Sequence, residues 1–307
     1  GLLATSSSQD VRFNEDKVGQ GRQLANKLYN ASRLVLLRVP EGLAVPAAAP
    51  RPAAVEDAWI LSRLQAAIAE VSRAIGAFEF HHAALGLYDF VYGELCDWYL
   101  ELVKPRLYED DNRHVSELAL YVLAETLALA HPLIPFVTEE IWAHMPGEDG
   151  LLMARRFPEA DPALTDGDAE AEIAGAIEAV QELRGWRDRV GAVPGRTIPA
   201  RLDAEGYGAT AAHVARLARF ELSGGDGEPV ATVTVPGGSV AVFESDAVDA
   251  EAEARRTLEH RAHLESEIAR AESKLANQRF VERAPAAVVE SERGKLARLH
   301  EELRGLA

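Results

Sequence analysis

Leu24, Leu28, Ala31 and Val35 recur at intervals of three, four and seven residues, with Val18 and Leu36 extending the pattern at either end. That spacing predicts one apolar face on a helix over about 16–38. The stretch that follows, "EGLAVPAAAPRPAA", sets Pro46, Pro50 and Pro52 among small residues and has too little apolar surface for a core, so it reads as a semi-extended linker. Four further helical patterns cover 55–75, 79–103, 113–130 and 135–144. Each runs into a breaker: Gly76, Pro105, Pro132 and the Pro146–Gly147 pair. Long amphipathic helices joined by short connections predict an antiparallel bundle.

Beyond the bundle the periodicity changes. A loop-like stretch at 151–166 leads into a helix over 169–190 that ends at Gly191. A brief alternation follows at 197–202, and "VATVTVPGGSVAVFES" places Val230, Thr232 and Thr234 on one side of Pro236-Gly237-Gly238 and Val240 and Val242 on the other, which is a hairpin pattern. With a helical stretch at 209–220 between them, these segments predict a small α+β module. From 249 onward the chain is helical. Leu264, Ile268, Ala271 and Leu275, then Val289, Leu296, Leu299, Leu303 and Leu306, mark the seam of a coiled coil. "NQRFVERAP" breaks the phase between the two seams, and Pro285 suits the first position of a new helix. The tail is therefore expected to fold back as an antiparallel hairpin, an arm of roughly 40 Å at about 1.5 Å per residue. The predicted architecture is mainly α: an antiparallel helical bundle at 1–150, a small α+β module at 151–247 and a C-terminal antiparallel coiled-coil hairpin at 248–307.

Composition narrows the function. A chain of 307 residues with 48% hydrophobic content has material for the cores of about two domains, which excludes disorder as the main state. No apolar run approaches the roughly 20 residues that cross a bilayer, and the opening "GLLATSSSQD" lacks the basic start of a signal peptide. The lone Cys96 permits neither an intrachain disulfide nor a cysteine zinc site. The expectation is a cytoplasmic protein without membrane or metal. A net charge of −17 argues against nucleic acid when taken over the whole chain. The distribution differs: residues 1–38 and 184–201 are locally basic, whereas 161–182 carry acids and no base. A polyanion could meet local basic patches on an acidic body, and solvated helix faces are the alternative.

Two strings carry a family resemblance. "CDWYLELVKPRLY", from Cys96 to Tyr108, and "LALAHPLIPFVTEEIW", from Leu127 to Trp142, resemble in sequence and order the helical anticodon-binding domain of class I aminoacyl-tRNA synthetases of the valyl, isoleucyl and leucyl group. "GRQLANKLYNASRLVL" is similar to the family's helix that follows the catalytic core. The tail "KLANQRFVERAPAAVVESERGKL" is similar to the carboxy-terminal arm of the valyl branch. The isoleucyl branch implies cysteine-rich zinc modules, which a chain with one cysteine cannot supply. Two positions depart from the family pattern: Leu24 stands where an aromatic is common, and Gly195 follows Pro194 where a second proline is usual. The resemblance covers essentially the whole chain and implies the last third of a bacterial valyl enzyme, a monomer whose partner is tRNA. The opening stretch 1–15 then corresponds to the exit from a catalytic domain.

The chemistry follows the same line. Class I aminoacylation needs a His-x-Gly-His type turn and a Lys-Met-Ser-Lys-Ser type loop to handle ATP, and neither string occurs here, nor does a Walker A loop or a G-x-G-x-x-G turn. Without a cradle for phosphates there is no recognisable means of stabilising charge in adenylyl transfer. The expectation is a chain that binds and positions, with no catalytic residue, cofactor or metal of its own, ATP belonging to the catalytic domain. The adjacent His81 and His82 should diverge by ~100° on a helix and not chelate together. Trp98, Tyr99 and Trp142 are expected in the bundle core. Trp186, beside Arg184, Arg187 and Arg189, fits either a nucleic-acid surface or internal stacking.

For tRNA, single-stranded bases are read by edge contacts and stacking, with cations on the backbone. Arg22, Asn26, Lys27, Asn30 and Arg33 recur at three and four residue intervals as one polar stripe, flanked by Arg12 and Lys17. The resemblance implies that this stripe meets the anticodon, and that the arm meets the outer corner of the tRNA through Arg256 or Arg270 on its first helix and Arg279 and Arg283 at its turn. The alternative is a non-catalytic coiled-coil interaction protein derived from the same fold.

Overall fold

The computed structural model describes residues 15–224, 227–245, 247, 250–276 and 286–305. Its contacts divide the chain into two compact units, Gly1–Ile177 and Glu178–Ala307. In the first unit α1 (Glu15–Leu36) forms where the apolar spacing places it and buries Leu24, Leu28, Ala31 and Val35. Val18, expected on that face, is 47% exposed, so the buried stripe begins at Leu24. Helix α2 (Val55–Gly76) is set at its start by Asp57, whose carboxylate accepts the backbone N–H groups of Ala53 and Ala54, both at 3.2 Å. Donors at a helix entry have no partner within the helix, and a carboxylate there also complements the positive end of its dipole. One face of α2 then buries Trp59, Ile60, Leu64, Ile68 and Val71.

The end of α2 carries a cost. Glu79 N–H donates to Ala74 O at 2.8 Å and Phe78 N–H to Ile75 O at 3.0 Å, the bond pair of a Schellman turn. The left-handed position of that turn normally holds glycine, but here it holds Phe78, at φ 60 and 79% exposed. A side chain in that conformation costs about 1–2 kcal/mol. Its ring contact among the described residues, edge-on to Phe80 at 6.2 Å, is exposed and returns only part of this. Phe78→Gly should therefore raise stability by about 0.5–1 kcal/mol despite glycine's greater chain entropy. The measurement is the urea midpoint at constant slope, and a lower midpoint would show that Phe78 contributes more than this turn reveals.

The third predicted helix is continuous but not uniform. It comprises α3 (Phe80–Asp89), a π-helical segment (Phe90–Tyr99) and α4 (Leu100–Leu107). The expected stop at Pro105 does not occur: the proline lies inside α4. Burial of Leu100, Leu102, Val103 and Leu107 holds the chain on both sides of it, so packing overrides the one hydrogen bond that proline removes. Helices α5 (Arg113–Ala130) and α6 (Pro135–Trp142) complete the bundle. Leu118, Leu120, Leu127 and Leu129 of α5 are fully buried. Tyr99 and Trp142 lie in this core as expected, whereas Trp98 is only half-buried. The segment after α6, assigned from sequence to the α+β module, contacts α2: Asp161 N–H donates to Gln65 Oε1 at 2.8 Å and Asp166 N–H to Ser62 Oγ at 3.0 Å.

Helix α7 (Gly167–Val190) contains the division between the units. The second unit has a four-stranded mixed sheet of order β2-β1-β4-β3, formed by β1 (Ile198–Ala204), β2 (Phe220–Glu221), β3 (Ala231–Val235) and β4 (Gly238–Val242). β1 runs antiparallel to β4, as β3 does, and parallel to β2. The hairpin turn demands its glycines. A Cβ at Gly238 would stand 2.3 Å from Asp203 O and 2.7 Å from Ala204 Cα. Between β1 and β2 lies α8 (Ala211–Ala218). Trp186 is buried beside the Phe220 ring, at 6.0 Å, and Arg187, 8% exposed, donates to the carbonyls of Arg219, Val193 and Arg196 at 3.0–3.1 Å.

The tail forms α9 (Ala250–Ala276) and α10 (Ala286–Gly305), which contact one another. Leu264, Ile268, Ala271 and Val289 are buried, and Leu275, Leu296, Leu299 and Leu303 are half-buried. Lys295 donates to Glu267 at 2.8 Å and His300 lies 3.8 Å from Glu272. The "NQRFVERAP" turn and Leu306 lie outside the described residues. The chain is thus mostly helical, with one small mixed sheet.

Candidate nucleic-acid interface

Burial of Leu24, Leu28, Ala31 and Val35 turns the other face of α1 outward. Arg22, Asn26, Asn30 and Arg33 are all exposed on it, and Tyr29 is 44% exposed among them. Among the described residues neither the Arg22 nor the Arg33 guanidinium makes a hydrogen bond or an ion pair. Lys27, predicted as part of the same stripe, points elsewhere: its ammonium bonds the Asp97 carboxylate and lies 3.3 Å from the centre of the Tyr92 ring. One helical position, about 100°, separates it from Asn26, which is enough to turn it from the solvent stripe toward the π-helical segment. At the C-terminal end of α1 the Arg38 guanidinium lies 3.9 Å over the Tyr108 ring, and Asn112 Nδ2 donates to Arg38 O at 2.9 Å. The structure describes the backbone of Lys17 but not its side chain, and Arg12 lies outside the described residues.

The second basic stretch, 184–201, is built into its own unit. Arg184 donates to Leu217 O at 3.1 Å, Arg187 is the triple carbonyl donor described above, and Arg201 pairs with Asp203 at 2.8 Å. A buried guanidinium with its donors spent on carbonyls serves packing, so of the two readings of Trp186 the structure supports internal stacking. On the arm, Arg270 is exposed and pairs with Glu267 of its own helix at 3.0 Å. Arg256 lies on α9 with its side chain undescribed, and Arg279 and Arg283 lie outside the described residues.

The first unit also holds a cavity of about 520 Å³ whose walls include Trp59, Tyr88, Tyr92 and Trp98. Its Arg63 is gripped by Glu94 at 2.8 and 3.0 Å and by Glu170 at 3.1 Å. Those hydrogen bonds, Glu94 first, hold the guanidinium charged, and they leave it committed to carboxylates rather than to a phosphate. Cys96 is no nucleophile at neutral pH, because burial pushes its thiol up to about 12, against the smaller opposing pull of Lys27. The imidazoles of His81 and His82 do not diverge as an ideal helical projection predicts: side-chain rotation brings the rings to 3.8 Å between centres. Among the described residues no three His, Cys, Asp or Glu side chains are placed to hold a metal ion, and no helix is long and apolar enough to cross a membrane.

Comparison with known proteins adds to this geometry. Residues 57–199 match the family described as anticodon-binding domain of tRNA ligase, and residues 249–307 match the family described as valyl tRNA synthetase tRNA binding arm. Helix α1 precedes the first matched stretch but lies within the longer similarity to whole proteins. The chain is 33% identical over 321 residues to a valine–tRNA ligase of Clostridium perfringens, covering 99% of this chain and 36% of that protein. It is 36% identical over 303 residues to a valine–tRNA ligase of Streptomyces coelicolor, covering 96% and 34%. The chain thus spans about a third of the length of these relatives. Among solved structures it is similar to a LeuRS of Agrobacterium radiobacter K84 in a ternary complex with tRNA and LeuAMS, with a TM-score of 0.44 and 20% identity over 54% of this chain and 19% of that one.

Proposed function

Because the chain belongs to the valyl-tRNA synthetase family, we propose that it is the tRNA-gripping portion of an enzyme that joins valine to its tRNA with ATP. The observation that carries this reading is the presence, in one chain, of two regions matching two different tRNA-handling families. In this reading the outward stripe of α1 meets the anticodon loop. Arg22 and Arg33 hold phosphates, Asn26 and Asn30 contact base edges, and Arg12 and Lys17 flank them. Lys27 acts indirectly, by fixing α1 to the π-helical segment. Helices α9 and α10 form the antiparallel coiled-coil arm, which touches the outer corner of the tRNA through Arg256, Arg270, Arg279 and Arg283. ATP and valine belong to a catalytic domain that this chain does not contain, and the protein works as a cytoplasmic monomer.

Binding measurements with full-length valine tRNA test the reading. Asn26→Ala and Arg33→Ala should each weaken binding by about ten to a hundredfold while leaving the unfolding midpoint in place. Arg33→Ala should also show a smaller salt slope, because a phosphate contact is lost. Equal affinity for this tRNA and for one with its middle anticodon base changed would sink the assignment of α1. Valine-dependent exchange of pyrophosphate into ATP by the chain alone would overturn the separation of binding from chemistry.

A further inference from the structure

We propose that Tyr29 is the stacking platform of the α1 face, a flat ring on which one unpaired base of the anticodon loop lies between two guanidinium groups. The proposal rests on the tRNA reading above and names a residue that the polar stripe alone does not contain. At about 100° per residue, Tyr29 lies within about 20° of Arg22 and about 40° of Arg33 around the helix, one turn from each of Asn26 and Arg33. Tyr29 is 44% exposed, whereas Leu24, at 7%, and Leu28, fully buried, have no free face to offer a base.

Two other aromatic rings near α1 already carry a partner, whereas Phe136 of α6 is exposed but has no stripe of arginines and carboxamides on its own helix. Tyr92 stacks on Tyr88 at 5.0 Å and carries Lys27, and Tyr108 lies under Arg38. Among the described residues no ring and no cation is stacked on Tyr29. An exposed phenol alone would suit a protein partner equally well, but its surroundings select RNA. Arg22 and Arg33 are unpaired among the described residues, Asn26 and Asn30 offer donors and acceptors, and α1 carries no carboxylate between Lys17 and Arg38. On a chain of net charge −17, a face of this kind suits an anionic ligand with flat bases: guanidiniums for phosphates, carboxamides for base edges and a ring for a base face.

The test uses the full chain and the anticodon stem-loop of valine tRNA, with 2-aminopurine substituted in turn at each loop position. Binding of the unaltered protein should quench the fluorescence at one position through stacking. Tyr29→Ala should lower affinity about 5- to 100-fold and abolish that quench, while Tyr29→Phe keeps both. Arg33→Ala should weaken binding yet retain the quench at saturation, which separates a phosphate contact from the stacking surface. The proposal is overturned if Tyr29→Ala binds with unchanged affinity and quench. If Tyr29→Ala leaves RNA binding intact but abolishes association with another protein chain, Tyr29 belongs to a protein contact and the proposal falls while the tRNA reading stands. Failure of the unaltered chain to bind the stem-loop, though it binds whole tRNA, removes the anticodon assignment and this proposal together, and leaves the arm as the tRNA contact.

Discussion

Replacing Arg106 with alanine should destabilise the bundle by about 3–5 kcal/mol, the cost of leaving buried charge without its partner. Arg106 Nη1 donates to Glu56 Oε1 at 2.7 Å and Asp57 Oδ1 at 2.8 Å, and its Nη2 donates to Asp57 Oδ2 at 2.8 Å. Asp57 is fully buried and Glu56 nearly so. Burial alone would lower the arginine's pKa, but the hydrogen bonds and charge of Asp57, and then of Glu56, raise it, so this guanidinium is never neutral. The same Asp57 carboxylate accepts the two N–H groups at the entry to α2. Losing the arginine therefore removes the countercharge of two buried acids and loosens a helix start at once. Arg106→Lys should be intermediate, because an ammonium cannot make the fork to both carboxylate oxygens. Asp57→Asn added to Arg106→Ala should cost less than the sum of the two single changes, since they share one network. A loss below about 1 kcal/mol for Arg106→Ala in urea unfolding would mean that water reaches these acids more freely than their burial indicates.

This ion-pair network also shows where reading the chain alone runs out. The string that contains Arg106 was legible as a family pattern and as a helix, but nothing local says that its guanidinium reaches back about fifty residues to two consecutive acids. Amphipathic spacing located α1 and α5 because a face with regular apolar residues has one low-energy way to bury them. The same local logic stopped a helix at Pro105, where the leucines packed around it outweigh one missing hydrogen bond. β2, at two residues, is too short for any alternation to register, and it exists only because β1 offers it an edge. In the candidate site the stripe of α1 was visible as spacing. The diversion of Lys27 to Asp97 was not, because it depends on a residue seventy positions away. The three and four residue intervals from Tyr29 to Asn26 and Arg33 place it on the same polar face, a signal present in the sequence itself. The cluster of arginines around Trp186 misleads in the opposite direction: guanidiniums that cap internal carbonyls look, in one dimension, the same as guanidiniums waiting for phosphate.

Ending the chain after Ala247 should lower affinity for every tRNA variant by a similar factor, about a hundredfold, without changing which anticodon is preferred. The arm's charge explains why the effect should be uniform. Residues 249–307 carry nearly equal numbers of acids and bases, and the described pairs Arg270–Glu267, Lys295–Glu267 and Arg261–Glu265 set several of those charges against one another. Such a surface has little long-range attraction for a polyanion, so its contribution must come from a few short contacts made once the anticodon end has docked. A second contact made within an already bound complex multiplies affinity through effective concentration, provided the arm is stiff enough to keep its tip near the ligand. Burial of Leu264, Ile268, Ala271 and Val289 where α9 and α10 contact one another supplies that stiffness. The bundle has its own core of buried leucines, so its unfolding midpoint should be unchanged by the truncation. The comparison to make is full-length against truncated chain, each with valine tRNA and with the tRNA altered at its middle anticodon base. A truncation that erases the preference between those two tRNAs would place recognition in the arm rather than on α1. One that abolishes self-association while tRNA affinity holds would make the arm a dimerisation coil.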